Sequence, residues 1–138
     1  MLRNFRWKIL KLLRTTRNKL KKIEKGKLGE LVAQAFLKKK GYRIIETNYR
    51  CSAGEIDIIA RQGEYLVFIE VRSKTNLHFG SPEESITQKK MEHFERAAAL
   101  YQQTHVKLPE QWRIDLVAVE LGANNQTTRI EIIENAFE

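Results

Sequence analysis

Two acidic residues stand where strands are expected to be apolar. In Ile56-Asp57-Ile58-Ile59-Ala60 an aspartate interrupts a β-branched run. In Tyr65–Lys74 five apolar residues lead in, and then Glu70, Arg72 and Lys74 fall at every second position. Side chains alternate across a strand with period two, so these three charges share a face, as do Glu55 and Asp57. A carboxylate at the end of a buried strand is expensive unless it is paired or binds a metal. Two chemistries follow. Glu70 is satisfied by Arg72 or Lys74, or Asp57 and Glu70 hold a divalent cation. Mg²⁺, with Mn²⁺ as a substitute, takes one or two carboxylates plus water and substrate phosphate. Such an ion activates water and stabilises charge on a phosphodiester, and a nearby lysine supports both. Histidine and cysteine chemistry is poorly provided for. His78, His93 and His105 are scattered without ligand spacing. Cys51 alone excludes an internal disulfide and a Cys-rich zinc site.

These residues need neighbouring strands to meet. Lys27–Lys40 reads as a helix with Leu28, Leu31, Val32, Ala35 and Phe36 on its apolar face, stopped by Gly41. Strands are expected at Arg43–Tyr49, Glu55–Arg61 and Glu64–Ser73. The tight turn at Gln62-Gly63 makes the second and third antiparallel and sets Asp57 beside Glu70. Pro82 reads as the first residue of a second helix, with Ser81 as its cap and Glu83 and Glu84 in its first turn, running to Gln103. Trp112–Leu121, apolar on both faces at Leu116–Val119, reads as an interior strand, and Thr127–Glu134 as a terminal one. The expected fold is α/β, a mixed sheet flanked by helices.

The chain has 138 residues, one domain's worth, and 42% hydrophobic residues, enough for a core. No apolar run is long enough to span a bilayer. The basic N-terminus lacks the apolar block of a secretory signal, so a cytoplasmic location is expected. The net charge of +8 is uneven. Residues 1–28 carry eleven Lys and Arg against Glu24 alone, while residues 29–138 carry fourteen against sixteen acids. Residues 1–25 thus read as a basic extension on an acidic domain spanning 26–138. Within it Leu2, Phe5, Ile9, Leu12, Leu13, Leu20 and Ile23 fall mostly at helical spacings, surrounded by Arg3, Arg6, Lys8, Lys11, Arg14 and Arg17. Three readings stay open for this amphipathic helix: packing on the body or a second copy, contact with nucleic-acid phosphates, and attachment to an anionic membrane surface.

Asp57 followed by Glu70-Val71-Arg72 resembles the PD-(D/E)xK nuclease superfamily, whose restriction-endonuclease-like core runs αβββαβ. The chain is more closely similar to the YraN-like family of small bacterial proteins. The shared features are Gly29-Glu30, Gly41-Tyr42, Asn48-Tyr49-Arg50, Gly54–Ala60, Phe68–Arg72, Phe79-Gly80, Lys90 and Arg113-Ile114-Asp115. They cover about residues 26–120 and leave the basic extension outside. The resemblance implies a Mg²⁺-dependent endonuclease acting on DNA, including branched DNA, with Asp57 and Glu70 as metal carboxylates. It implies that Glu30 is an additional carboxylate from the first helix, as in archaeal Holliday-junction resolvases. Two departures stand out: Ile56 replaces the motif's proline, and Arg72 replaces its lysine. Arginine stays protonated and cannot act as a base. Lys74 or Lys90 would supply the missing ammonium, and Lys89 a phosphate contact. By analogy, a cutter of two-fold DNA structures would be a homodimer. The alternative is a non-catalytic nucleic-acid-binding protein that keeps the nuclease fold.

Overall fold

The first helix, α1 (Leu2–Lys39), ends on a cap built around Gly41. Gly41 takes φ +90°, its amide donates to the Lys38 carbonyl at 3.1 Å, and the Tyr42 amide reaches back to the Leu37 carbonyl at 3.0 Å. This double closure needs a left-handed residue, and it brings Tyr42 and Leu37 into one core. The structure is a computed structural model. It describes residues 2–76, 78 and 80–137, with side chains except those of residues 2–5 and 18–25. Arg3, Leu2, Phe5, Leu20 and Ile23 therefore lie outside the described side chains, and Phe79 outside the described residues. The basic extension and the first body helix form one continuous helix of 38 residues.

Five strands follow in a single mixed sheet: β1 (Arg43–Cys51), β2 (Gly54–Gln62), β3 (Tyr65–Lys74), β4 (Gln111–Leu121) and β5 (Thr127–Ile133). They lie in sequence order, β1-β2-β3-β4-β5. Every pair is antiparallel except β3–β4, which is parallel. Parallel pairing demands a crossover, and the second helix, α2 (Gln88–Thr104), supplies it. β4 is interior, with Ile114–Val119 buried without interruption. This is the expected α/β arrangement, a restriction-endonuclease-like αβββαβ core with one added terminal strand.

The helices cover opposite faces. Ala33 and Leu37 of α1 pack on Ile58, Ala60, Val67, Ile69, Val117 and Val119. Phe94, Ala97, Ala98 and Tyr101 of α2 pack on Ile59, Leu66, Phe68 and Ile114. Strict alternation would send Ile56 and Ile58 to the same core. Instead Ile56 joins the α2 core and Ile58 the α1 core, so the pattern breaks at Asp57.

The second helix starts later than residue types suggest. Pro82 precedes only a 3-10 turn, Glu83–Ser85, and Ser81 caps nothing. Ile86 and Thr87 are extended, and α2 begins at Gln88, with the Thr87 hydroxyl accepting the Lys90 amide at 3.1 Å. The reason is tertiary. Arg129 of β5 grips Glu83 through both terminal guanidinium nitrogens, at 3.0 and 2.6 Å, which anchors the 3-10 turn to the edge strand of the sheet.

Candidate active site

β2 and β3 pair from Gln62↔Tyr65 to Ile58↔Ile69 and then part. At the parting point Asp57 Oδ2 accepts the Val71 amide at 2.8 Å. The side chain thus satisfies a backbone donor beyond the end of the ladder, which holds the carboxylate between the two strands. Glu70, one residue before Val71, is 3% exposed. Its Oε1 lies 3.3 Å from Arg72 Nε and 3.8 Å from Lys90 Nζ. Lys90 stands in the first turn of α2, so the late start of that helix is what brings its ammonium to Glu70.

The third carboxylate comes from α1. A Cβ on Gly29 would meet Ser73 Cβ and Oγ at 2.8 Å, so the helix crosses β3 where only glycine fits. That close approach delivers Glu30, the next residue. Glu30, Asp57, Glu70, Arg72, Lys74 and Ser85 line one cleft of about 360 Å³.

Burial, with the crowding of acids as a lesser cause, shifts the titration of this cleft's carboxylates upward. Burial, reinforced by the Asp57 charge, pushes Glu70 up to about 8 against the pull of Lys90 and Arg72. Burial also raises Asp57, opposed by the Val71 amide and by Lys90. Glu30 is raised by burial and then by the charges of Asp57 and Glu55. The cations at hand do not fully satisfy Glu70: its Oε2 is buried with no hydrogen-bond partner, and so is Arg72 Nε. An acidic cleft with an orphaned carboxylate oxygen fits a hard divalent cation. Among the described residues no three His, Cys, Asp or Glu side chains stand close enough to hold an ion by themselves. That donor set suits Mg²⁺, which keeps waters and takes substrate oxygens, better than a closed structural zinc site.

The sequence-predicted residues divide cleanly. Asp57, Glu70, Arg72, Lys74, Lys90 and Glu30 come together. Lys89 is exposed and outside the cleft, and Arg6, Lys8, Lys11, Arg14 and Arg17 are exposed along α1. Asp115 is fully buried and structural. It receives Arg113 Nε at 3.0 Å, the Tyr42 hydroxyl at 3.2 Å and the Asn135 amide at 3.2 Å. Ser73 and Ser85 had no signal in sequence. Gly29 had one, a glycine inside a helix, which usually marks a close approach. A second groove of about 510 Å³ is lined by Arg50, Glu55, His93 and Lys90, whose ammonium lies 3.8 Å from Glu70.

The αβββαβ core with carboxylates converging from β2, β3 and the first helix defines a restriction-endonuclease-like fold. Within that class the chain belongs to Uncharacterised protein family UPF0102, whose profile matches residues 29–119. Similar proteins include a UPF0102 protein of Caldicellulosiruptor saccharolyticus, 42% identical over 118 residues, 86% of this chain and all of that one. One from Dehalococcoides mccartyi is 47% identical over 114 residues, covering 83% of this chain and 93% of its own. One from Syntrophus aciditrophicus is 42% identical over 127 residues, 92% and 95% of the two chains. Among the described residues no helix is long and apolar enough to cross a membrane.

Proposed function

We propose that this chain is a Mg²⁺-dependent endonuclease that hydrolyses phosphodiester bonds in DNA, with branched or otherwise structured DNA as the substrate class. The observation that carries this reading is the buried, unpartnered Oε2 of Glu70 in the wall of a cleft shared with Asp57 and Glu30. When bound, the ion supplies Lewis-acid stabilisation of the phosphate and an activated water. Asp57 and Glu70 are the carboxylates to hold it, with Glu30 as the further acid. The cations have a separate task. Lys90 and Arg72 flank Glu70 in the free protein, and with Lys74 they offset the charge gathering on the phosphate. The structured-DNA assignment rests on the resemblance to junction resolvases, and a two-fold substrate would be met by a homodimer.

The test is a calorimetric titration with Mg²⁺ or Mn²⁺ on the wild type and on Asp57→Asn/Glu70→Gln, followed by cleavage assays on duplex and four-way junction DNA. Binding and cleavage are expected in the wild type and in neither case with the double variant. Arg72 at the lysine position, paired with Glu70, favours a second reading, a non-catalytic nucleic-acid-binding protein. Metal binding absent both with and without duplex, beside salt-sensitive DNA binding that survives the double variant, would select it.

A further inference from the structure

The N-terminal half of α1 carries an apolar stripe that no side chain among the described residues covers. Residues 6–17 are exposed throughout, and Leu12 and Leu13 are 67% and 60% exposed. At about 100° per residue, Ile9, Leu12, Leu13 and Thr16 fall within about a third of the circumference. In the sequence, Leu2, Phe5, Leu20 and Ile23 continue the same three- and four-residue spacing. Cations flank it: Arg6 and Arg17 border one edge and Lys8 the other. Lys11 and Arg14 lie on the far side, where the Lys11 ammonium covers Trp7 at 5.2 Å from its ring.

Three occupants answer to parts of this pattern. A nucleic acid neutralises the cations but leaves the apolar stripe in water. A second copy buries the stripe but brings together two segments, residues 2–25 of each copy, that each carry ten cations against one acid. An anionic bilayer surface meets both demands at once. The stripe sinks to the acyl boundary and the flanking Lys and Arg extend to lipid phosphates. We propose that residues 2–25 of α1 dock this chain in the plane of an anionic lipid surface. Docking requires neither metal nor DNA.

The experiment is flotation of the full chain with phosphatidylcholine vesicles, with and without phosphatidylglycerol. The wild type is expected to float only with the anionic vesicles and to be released by salt. Ile9→Ser/Leu13→Ser, which keeps every charge, is expected to weaken flotation at least about tenfold. Lys8→Gln/Lys11→Gln/Arg14→Gln, which keeps the stripe, is expected to do the same. Both variants should retain the wild-type thermal unfolding of the body, because the altered side chains touch none of it. Failure of the wild type to float overturns the proposal. So does undiminished flotation of Ile9→Ser/Leu13→Ser, which would reduce the effect to charge alone. Loss of duplex DNA binding in the charge variant, without vesicle binding by the wild type, would assign the arm to nucleic acid instead. A dimer in sedimentation that Ile9→Ser/Leu13→Ser dissociates, again without vesicle binding, would assign the stripe to a second copy. Metal binding at Asp57 and Glu70 is read separately, so either reading can fail without the other.

Discussion

Asp57 Oδ2 accepts the Val71 amide at 2.8 Å at the point where β2 and β3 separate. The same carboxylate therefore has a structural partner beside the metal-holding role proposed for it, and two substitutions separate them. Asp57→Asn keeps an acceptor for Val71 and removes a negative charge from beside Glu70. It should fold with unchanged or higher stability in the absence of metal and lose Mg²⁺ binding. Asp57→Ala leaves the amide unsatisfied and should lower stability by about 1–3 kcal/mol. Urea unfolding of both variants checks this. Equal losses would mean that the Val71 contact contributes nothing.

Glu70 makes stability depend on pH in the direction opposite to an ordinary ion-paired carboxylate. Its folded value of about 8 lies above the ordinary 4.5. Across that interval the native state holds a proton that the unfolded state has released. Stability should therefore fall by several kcal/mol as pH rises from about 4.5 to about 8, at about 1.4 kcal/mol per pKa unit. Glu70→Gln should flatten that slope and stabilise the metal-free protein at pH 8. Saturating Mg²⁺ should reverse the slope in the wild type alone. Parallel pH profiles for the wild type and Glu70→Gln would remove Glu70 as the source.

Gly29 sits inside a helix, where alanine would ordinarily add about 1 kcal/mol of helix propensity. Here the added Cβ would lie 2.8 Å from Ser73 Cβ and Oγ. Gly29→Ala should accordingly destabilise by about 1–3 kcal/mol and displace Glu30 from the cleft. Ser73→Gly should rescue Gly29→Ala, because it removes the atoms in conflict. Thermal unfolding of the two single variants and the double variant gives the coupling. Additive losses would contradict a shared contact.

Arg129 holds Glu83, Glu120 and Glu131 together, with Glu83 bound through two nitrogens. This pairing lowers Glu83 from 4.5 to about 2. The stabilisation is present above the unfolded value and is lost as pH falls from about 4.5 toward 2. Arg129→Met should erase that acid-side loss and speed amide exchange at Ser85, whose amide donates to the Pro82 carbonyl at 3.1 Å. Ser85 lines the cleft, so the same variant should also weaken Mg²⁺ binding. Unchanged exchange at Ser85 would show that the 3-10 turn holds without β5.

Much of this molecule was legible in residue order. Period-two alternation in Tyr65–Lys74 located β3 and put Glu70, Arg72 and Lys74 on one side, and Gly41 marked the end of α1, because both signals are local. The neighbouring carboxylate Asp57 followed from the short turn at Gly63, which leaves β2 only one way to pair. Other features could not be read locally. Proline and two glutamates at 82–84 are good helix-start residues, yet Arg129, about 46 positions on, ties that segment into a 3-10 turn and shifts the helix start to Gln88. The position of Lys90 against Glu70 depends on that shift. The break in alternation at Asp57 depends on β2 leaving β3, and the place of Glu30 depends on Gly29 meeting Ser73 across 44 residues of chain. Sequence alone determined which side chains carry charge and that Glu70, Arg72 and Lys74 share a face of β3, since alternation and turn chemistry act over a few residues. Only the tertiary structure decided that three acids and their cations share one cleft, because that follows from strand divergence and helix crossing, which join residues far apart in the chain.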